Sequence, residues 1–474
     1  MDSTWIAPRA GADAVLADGD QVLPHAQLRA GFAEFDRRFG AAGVVAGDGL
    51  VLAVVNSLAT AWTLLYLLER GYDTVLLPSA AADDPVARPA FCRWLLTPRT
   101  TDDPVTPETA VRIAPNPQYW PGSALEAGAP RLMLRTSGST GAPKLVAHTH
   151  RALRSNALRC VERFALTSAD RAALPVPIHH MFGLGAGLLP AVVAGASVDL
   201  QQDANLLRFI ARERAFDPSI AFMTPAFATT LLATRRGTRP YRLTVTAGDR
   251  FQADRLARYE AAFGAVIQLY GSTEQGAVAA AAAELPLPVR CRTVGSAMAG
   301  VELRVAAPVG EVGALSCRRD DGFMGYLDLQ GRRLPSGHDA AGWWPTNDFA
   351  RLDPSGHLEV LGRSDHSVNR DGLLVFFAEV ERVIETLDSV ASVAVTAERE
   401  EGPRGRRLIA CCVAAADADP SPARIRAHCF DRLPPRAVPD EIHLIERLPL
   451  LANGKIDRLR LQAIYRGNTP GDDP

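Results

Sequence analysis

Lysine is almost absent from this chain. Of its 51 Lys and Arg residues, two are lysines, Lys144 and Lys455. Arginine presents a broad planar fork, whereas lysine is a compact charge on a thin stem that can reach into a narrow anionic pocket. The two lysines are therefore candidate ligand-binding groups, and each lies in a glycine-containing loop, RTSGSTGAPK and LLANGKIDRL.

An excess of positive charge is also lacking. The net charge is −2 and 22% of the residues are charged, so the chain has no basic field suited to nucleic acid or to an anionic membrane surface. A small-molecule or protein partner is favoured. The first residues, MDSTWIAPRAGADA, lack the basic and apolar regions of a secretory signal, which predicts a cytoplasmic protein.

The cysteines exclude two further classes of protein. The chain has seven, and they are scattered and never spaced C-x-x-C. This pattern argues against a disulfide framework and against a thiolate metal site.

The uncharged segment 51–68 approaches the length of a membrane-spanning helix. Asn56 and Ser57 interrupt it after a β-branched run. We therefore predict a buried strand over 50–55 and a helix from about 59 to 70, with Ser57 as its N-cap. No membrane span is expected.

Short apolar runs alternate with helical segments over most of the chain. This alternation predicts an α/β fold, with a large N-terminal domain of helix-covered sheets over 1–362. After about Gly295 short strands and turns predict a β-rich subdomain. We expect a small α+β domain over 363–474, which includes helices near 378–387 and 423–430.

The segment 135–144, RTSGSTGAPK, follows a predicted strand at 132–134 and precedes a predicted helix at 151–163. Backbone N–H groups and hydroxyls in such a loop can converge on phosphate oxygens. The loop does not fit the pattern G-x-x-x-x-G-K-[ST], because the sixth position counted from Gly138 is Pro143.

The combination T-S-G-S-T-G-x-P-K resembles the AMP-forming adenylating enzymes, the superfamily of acyl-CoA synthetases, luciferases and adenylation domains of nonribosomal peptide synthetases. Further motifs of that family follow in the same order, and together they extend over roughly 45–460. They are VPIHHMFGLGAGLLP, YGSTEQG, TNDFARLDPSGHLEVLGRSDHSV and LPLLANGKIDR.

The resemblance implies a site that binds ATP, Mg²⁺ and a carboxylic acid. The phosphate-binding residues would be Thr136, Ser137, Gly138, Ser139, Thr140, Gly141 and Lys144. The nucleotide would also meet Tyr270 and Gly271 near adenine, Thr273 at the α-phosphate, and Asp348 and Arg363 at the ribose. Glu274 would hold Mg²⁺, His180 would lie at the acid pocket, and Lys455 would bridge the acid and the nucleotide. The implied catalytic set is Lys455, Lys144, His180, Thr273 and Glu274.

Mobility is a further implication of the resemblance. The small C-terminal domain would rotate about a hinge at Asp365 after adenylation and offer another face for attack by a thiol. Asn347 departs from the family pattern, since it replaces the usual glycine before Asp348. His148 and His150 are expected to be exposed residues at a helix entry rather than ligands.

The acid is predicted to be an aryl or fatty acid rather than an α-amino acid. The stretch HHMFGLGAG contains no carboxylate that could pair a substrate ammonium, and burying an unpaired ammonium is costly. Four apolar side chains could either line the acid pocket or pack in the core, and the sequence leaves both alternatives open. These residues are Met181, Phe182, Phe222 and Met223.

The leading hypothesis is a stand-alone acid:thiol ligase. It would make an acyl-adenylate and pass the acyl group to the phosphopantetheine of an acyl carrier protein or to CoA. One alternative is transfer to a non-thiol acceptor, giving an amide or diazo product, and another is a non-catalytic nucleotide-binding scaffold. The protein is expected to be a monomer or a homodimer.

Overall fold

A computed structural model describes most of the chain. The described residues are 4–6, 14–99, 103–123, 125–136, 143–202, 204–235, 237–371, 373–402, 405–415, 418–449 and 456–464, and the side chains of 399–402, 405 and 459 are outside the description.

The strands among these residues are β1 (Val15–Asp18), β2 (Gln21–Pro24), β3 (Gly49–Val54), β4 (Asp73–Pro78), β5 (Cys92–Pro98), β6 (Val111–Pro115), β7 (Arg131–Thr136), β8 (Lys144–Thr149), β9 (Arg171–Leu174), β10 (Ser197–Leu200), β11 (Ile220–Met223), β12 (Leu243–Ala247), β13 (Val266–Ser272), β14 (Gly276–Ala280), β15 (Ser296–Ala297), β16 (Glu302–Val305), β17 (Gly313–Arg318), β18 (Gly325–Leu327), β19 (Arg333–Leu334), β20 (Trp344–Leu352), β21 (Leu358–Arg363), β22 (Ser367–Arg370), β23 (Leu373–Phe376), β24 (Val390–Gly402), β25 (Gly405–Ala414) and β26 (Glu441–Leu444).

The α-helices are α1 (His25–Ala30), α2 (Phe32–Ala42), α3 (Leu58–Arg70), α4 (Ser79–Asp83), α5 (His150–Arg163), α6 (Leu189–Ala194), α7 (Leu206–Phe216), α8 (Pro225–Thr234), α9 (Ala253–Phe263), α10 (Leu287–Arg292), α11 (Phe377–Ile384), α12 (Pro422–Phe430) and α13 (Arg458–Ile464). A π-helix, Phe182–Leu188, leads directly into α6.

Two large sheets dominate the fold. One has nine strands in the order β15-β14-β13-β12-β11-β9-β10-β1-β2, and the other has eight in the order β19-β18-β8-β7-β4-β3-β5-β6. Their central strands are parallel and buried, as expected of sheets covered by helices on both faces. A four-stranded sheet, β16-β17-β20-β21, and a five-stranded sheet, β23-β22-β25-β24 with β26 beside β25, follow. The predicted α/β class is confirmed.

The segment that resembled a membrane span is a buried strand and helix, as predicted. β3 is fully buried between β4 and β5. The side chain of Ser57 caps α3 by accepting a hydrogen bond from the backbone N–H of Thr60 at 3.2 Å. The apolar character of α3 follows from its position, because eleven of its side chains are buried.

None of the helices in the described ranges has both the length and the apolar character needed to cross a membrane.

Contacts divide the chain into two compact units. The first comprises Met1–Leu303, Cys317–Trp344 and Ser355–Leu358, and the second Arg304–Ser316, Pro345–Pro354 and Glu359–Pro474. The second unit has its own apolar core beneath the five-stranded sheet, which includes Val380, Leu408 and Ile425. The division at 362/363 and the hinge at Asp365 stay predictions.

His25 lies in the core of the first unit, and the structure gives it an unusual environment. Its side chain is buried, and neither ring nitrogen has a hydrogen-bond partner among the described residues. Burial lowers the pKa of His25 to about 4. The unfolded chain therefore gains a proton near pH 6.5 that the folded chain does not accept. The stability that depends on neutral His25 is present above pH 6.5 and is lost as the pH falls towards 4.

We expect His25→Leu to flatten the pH dependence of unfolding. The free energy of unfolding of the wild type should fall below pH 6.5, and His25 contributes a slope of up to about 1.4 kcal/mol per pH unit. Urea unfolding at a series of pH values measures the slope. His443→Gln is the matched control, since this ring lies partly exposed beside Glu441. An unchanged slope in His25→Leu would contradict the prediction.

Candidate active site

The proposed phosphate loop joins two antiparallel strands. Thr136, the last residue of β7, lies directly opposite Lys144, the first residue of β8, and the Thr136 hydroxyl donates to the Lys144 carbonyl at 3.4 Å. The helix predicted at 151–163 is present as α5, but the strand β8, which was not predicted, lies between the loop and this helix. Five of the predicted phosphate ligands are outside the described residues: Ser137, Gly138, Ser139, Thr140 and Gly141.

The alternation of side chains along β8 determines what lies beside Lys144. Lys144, Val146 and His148 share one face of the strand, and Val146 joins the main core on that face. Leu145 and Ala147 point the other way, into a separate apolar cluster. His148 is only 4% exposed. The prediction that it is exposed is wrong because it belongs to this buried strand rather than to a helix entry.

The YGSTEQG motif forms the end of β13, a tight turn and the start of β14. The strand pairing shifts between Tyr270 and Gly271, so the chain is kinked there. A Cβ atom on Gly271 would lie 2.2 Å from the carbonyl oxygen of Gly276, and Gly276 itself has a φ of +62°. Gly271 is therefore required by the close approach of the two strands, and Gly276 by its left-handed backbone.

Three side chains from other elements hold three consecutive residues of this turn. The pairs are His148 Nε2 with the Thr273 carbonyl (2.7 Å), the Tyr326 hydroxyl with Glu274 Oε1 (2.9 Å), and the Arg319 guanidinium with the Gln275 carbonyl. Predicted ligands Thr273 and Glu274 are thus positioned by residues of β8, β18 and the loop before β18.

Burial determines the protonation of His148. It lowers the pKa of the imidazole to about 4, and the charge of Arg319 acts in the same direction. The ring is therefore neutral at pH 7, and Nε2 must carry the hydrogen because its partner is a carbonyl oxygen.

Lys144 faces an aromatic ring. Its Nζ atom lies 5.5 Å from the centroid of the Tyr326 ring, a cation–π distance. No described residue forms an ion pair with Lys144. The ammonium and the Glu274 carboxylate therefore both touch Tyr326, one at its ring and the other at its hydroxyl.

The predicted acid-pocket residue His180 lies at the entry of the π-helix. It is exposed, and its ring lies 4.2 Å from that of His179. Burial, with the neighbouring His180, lowers the pKa of His179 to about 4. Buried Asn56 holds the loop before these histidines, since its amide bonds the backbone of Val176 at 2.8 Å and of Ile178 at 2.9 Å.

A second buried amide connects the π-helix to the turn region. Asn156 on α5 donates to the carbonyl of Gly185 in the π-helix at 2.7 Å and accepts from the backbone N–H of Ala277 on β14 at 2.9 Å. Of the four apolar residues with two interpretations, Phe222 and Met223 are fully buried in the core. Phe182 is partly buried, with its ring 6.4 Å from that of Phe222.

The predicted ribose-binding residues belong to the second unit. The Asp348 backbone N–H donates to the Thr346 hydroxyl at 3.1 Å. Asn347 has a φ of +61°, a left-handed conformation that asparagine tolerates better than most residues, which explains why it can replace glycine here. Arg363 pairs with Asp365 at 2.8 Å. Burial favours a higher pKa for Asp365, but the hydrogen bond and the charge of Arg363, together with the nearby His366, outweigh it and the pKa is lowered.

Lys455 is outside the described residues, and the nearest described residues on either side of it are held by hydrogen bonds. The backbone N–H of Asp457 donates to the carbonyl of Pro449 at 2.8 Å. Arg458 pairs with Glu381 at 2.6 Å and also bonds the carbonyl of Val395. The G-K-x-x-R motif therefore contains one residue that anchors α13, three positions after the lysine.

Sequence patterns could have identified some of the supporting residues. Asn156 is the polar member of the buried face of α5, which otherwise carries Ala152, Leu153, Ala157 and Cys160. Such a polar residue on an apolar face indicates a buried hydrogen-bonded role. Tyr326 gave no comparable signal, because its position depends on the pairing of β18 with β8.

Comparison with known proteins identifies the family. The family model described as AMP-binding enzyme matches residues 45–327, and the model of its C-terminal domain matches 379–455. The chain belongs to the AMP-binding enzymes, as the motifs indicated. It is an AMP-forming ligase, and its reaction is the ATP-dependent adenylation of a carboxylic acid.

Several relatives act on small acids. A salicylyl-CoA synthase / salicylate adenylyltransferase from Streptomyces is 29% identical to this chain, and the alignment covers 77% of this chain and 67% of that relative. A sulfoacetate–CoA ligase from Cupriavidus necator is 27% identical, covering 87% and 82%. The solved o-succinylbenzoate CoA synthetase from Bacillus subtilis, bound to its acyl-adenylate, shares the fold with a TM-score of 0.82 at 21% identity, covering 97% and 98%.

We predict that His148→Leu lowers adenylation about tenfold, whereas His148→Gln retains most of it. The glutamine amide can replace Nε2 as donor to the Thr273 carbonyl, but leucine leaves that part-buried carbonyl without this donor. ATP–pyrophosphate exchange measures the effect, with thermal unfolding in parallel. Equal rates in the two variants would show that the bond to Thr273 is not what His148 contributes.

Proposed function

We propose that this enzyme is an acid:thiol ligase that activates an aryl carboxylic acid and transfers the acyl group to the thiol of CoA or of a phosphopantetheine-bearing carrier protein. The observation that carries the proposal is the convergence of Thr136, Lys144, Thr273 and Glu274 at one place, where β7, β8 and the β13–β14 turn meet.

The site would bring a cation and an acidic group to a polyanionic substrate. Lys144 would bind phosphate oxygens of ATP, and it can do so because no described carboxylate neutralises it. A compact ammonium suits this task in a crowded loop better than a guanidinium. The Thr273 hydroxyl would contact the α-phosphate, held in place by the bond between its carbonyl and His148.

The reaction has two steps. In the first, a carboxylate oxygen of the acid attacks the α-phosphorus of ATP, and the bond to the β-phosphate breaks to release pyrophosphate. In the second, the thiol loses its proton and its sulfur attacks the acyl carbon, so that AMP leaves with the electron pair of the broken C–O bond. Lys455 would neutralise the developing charge in the first step.

Glu274 fits a role as a magnesium ligand. Mg²⁺ at nucleotide sites uses one or two carboxylates together with phosphate oxygens. Within the described residues no cluster of three or more His, Cys, Asp or Glu side chains could hold a metal by itself, so ATP would complete the coordination. The solved o-succinylbenzoate CoA synthetase has been observed with ATP and a magnesium ion. When bound, Mg²⁺ would neutralise phosphate charge.

An aryl acid suits the chain better than an α-amino acid. The π-helix and its entry contribute His179, His180 and Phe182 but no carboxylate to pair a substrate ammonium. The salicylate-activating relative and a solved anthranilate CoA ligase act on aryl acids. A panel of benzoates, cinnamates, fatty acids and amino acids in ATP–pyrophosphate exchange tests the class, and exchange driven best by an amino acid would refute it.

We expect Lys144→Arg to lower the rate of adenylation about 10- to 100-fold although the charge is kept, because the bulky fork would not fit among the phosphate ligands. Lys455→Ala should abolish acid-dependent exchange. The control is Arg37→Lys, an exposed residue paired with Glu34 on α2, which should have the wild-type rate. Full activity of Lys144→Arg would remove the argument for a slender cation at this position.

The acceptor is tested separately by mass spectrometry. With the acid that supports exchange, the thiol-ligase proposal predicts an acyl-CoA or an acylated carrier protein. Exchange without thioester formation, accompanied by an amide when an amine is supplied, would instead support transfer to a non-thiol acceptor. Failure of every acid to drive exchange would favour a nucleotide-binding scaffold.

A further inference from the structure

Tyr326 contacts both charged groups of the proposed ATP site in the first unit. Its hydroxyl lies 2.9 Å from Glu274 Oε1, and its ring centroid lies 5.5 Å from Lys144 Nζ. None of the family motifs considered above includes this residue, which lies in the stretch FMGYL on β18.

The position of Tyr326 follows from strand pairing. In the antiparallel pair of β18 and β8, Tyr326 lies opposite Val146, so its side chain is the diagonal neighbour of Lys144 on the same face. The ring also packs edge-on against Phe323 at 5.2 Å. The contact with Phe323 and the pairing of β18 with β8 therefore place the Tyr326 ring between Lys144 and the β13–β14 turn.

The hydrogen bond to Glu274 has a defined direction. The tyrosine hydroxyl carries the hydrogen and donates it to Oε1, because a carboxylate oxygen acts as the acceptor. Because the hydroxyl holds Oε1 of Glu274 in place, it also sets the direction in which the second oxygen of that carboxylate points.

Lys144 and Glu274 carry opposite charges and both touch Tyr326, yet no ion pair within the described residues joins them. A direct pair would neutralise the two groups on which the site depends, since each is expected to bind a ligand charge of opposite sign. The ring accepts the ammonium on its face, where the π-electrons attract a cation, while the hydroxyl holds the carboxylate at the ring edge.

We propose, building on the ATP site proposed above, that Tyr326 is a positioning residue with two tasks: its hydroxyl orients Glu274 towards the metal that accompanies ATP, and its ring keeps Lys144 and Glu274 from forming an ion pair. The two tasks belong to different parts of the side chain, so they can be separated by substitution.

Tyr326→Phe removes the hydroxyl and keeps the ring. Calorimetric titration with ATP, in the presence of either MgCl₂ or EDTA, reads its effect without requiring the acid substrate. We expect about tenfold weaker binding with Mg²⁺, which corresponds to the loss of one hydrogen bond to a charged group. In EDTA the affinity should stay within about twofold of the wild type. A purely structural role would change both affinities alike.

Tyr326→Leu removes the ring as well. Lys144 and Glu274 can then pair, so ATP should bind about tenfold more weakly even in EDTA. Adding Glu274→Gln removes the partner of the lysine. The double variant Tyr326→Leu/Glu274→Gln should therefore recover, in EDTA, an affinity within about twofold of Glu274→Gln alone.

Tyr241→Phe is the matched control, because the Tyr241 hydroxyl bonds Glu213 in a buried cluster of the first unit outside the proposed site. It should leave both affinities unchanged, and thermal unfolding of all variants checks that they fold. An equal loss with Mg²⁺ and EDTA in Tyr326→Phe would overturn the orienting role, and no recovery in the double variant would overturn the spacer role. A wild type that does not bind ATP would overturn the proposed function and both roles with it.

Discussion

The candidate active site depends on how the β13–β14 turn is held against β8 and β18. The turn contains Thr273 and Glu274, and β8, which belongs to the other large sheet, begins at Lys144. Groups on separate sheets keep a fixed geometry only if specific contacts join them. Here His148, Tyr326 and Arg319 each hold one of three successive turn residues, so the spacing between the lysine and the acidic group is set by the register of one short strand.

The scarcity of lysine acquires a physical meaning in this setting. Arginines in the first unit pair with carboxylates, where a planar fork makes two bonds at once. Examples are Arg131 with Asp73, Arg159 with Asp321, and Arg212 with Asp199. Lys144 has no such partner among the described residues. These arginines thus serve internal ion pairs, whereas the described lysine lies over the ring of Tyr326.

How far the sequence predicts this arrangement depends on the range of the interactions involved. Local signals were sufficient for β3, α3 and the Ser57 cap, because an apolar run and a capping residue determine them. The motifs identified the family, whereas the site residues that they indicate stay predictions. The strand after the phosphate loop was missed, since KLVAHT is short and lies directly before a helix. Its neighbour Tyr326 is distant in sequence, and only strand register brings it to Lys144.

The same limit applies to the connection between the π-helix and the β14 strand. Asn156 bonds the π-helix through one end of its amide and β14 through the other. A carboxylate at this position would lack the donor, and an apolar side chain would leave two buried backbone groups unpaired. Asn156 therefore fixes the π-helix relative to the strand that follows Thr273 and Glu274. A ligase that must bring an acid oxygen within bonding distance of a phosphorus needs its two substrate sites at constant separation, and this buried amide would link the sites proposed for the acid and for ATP.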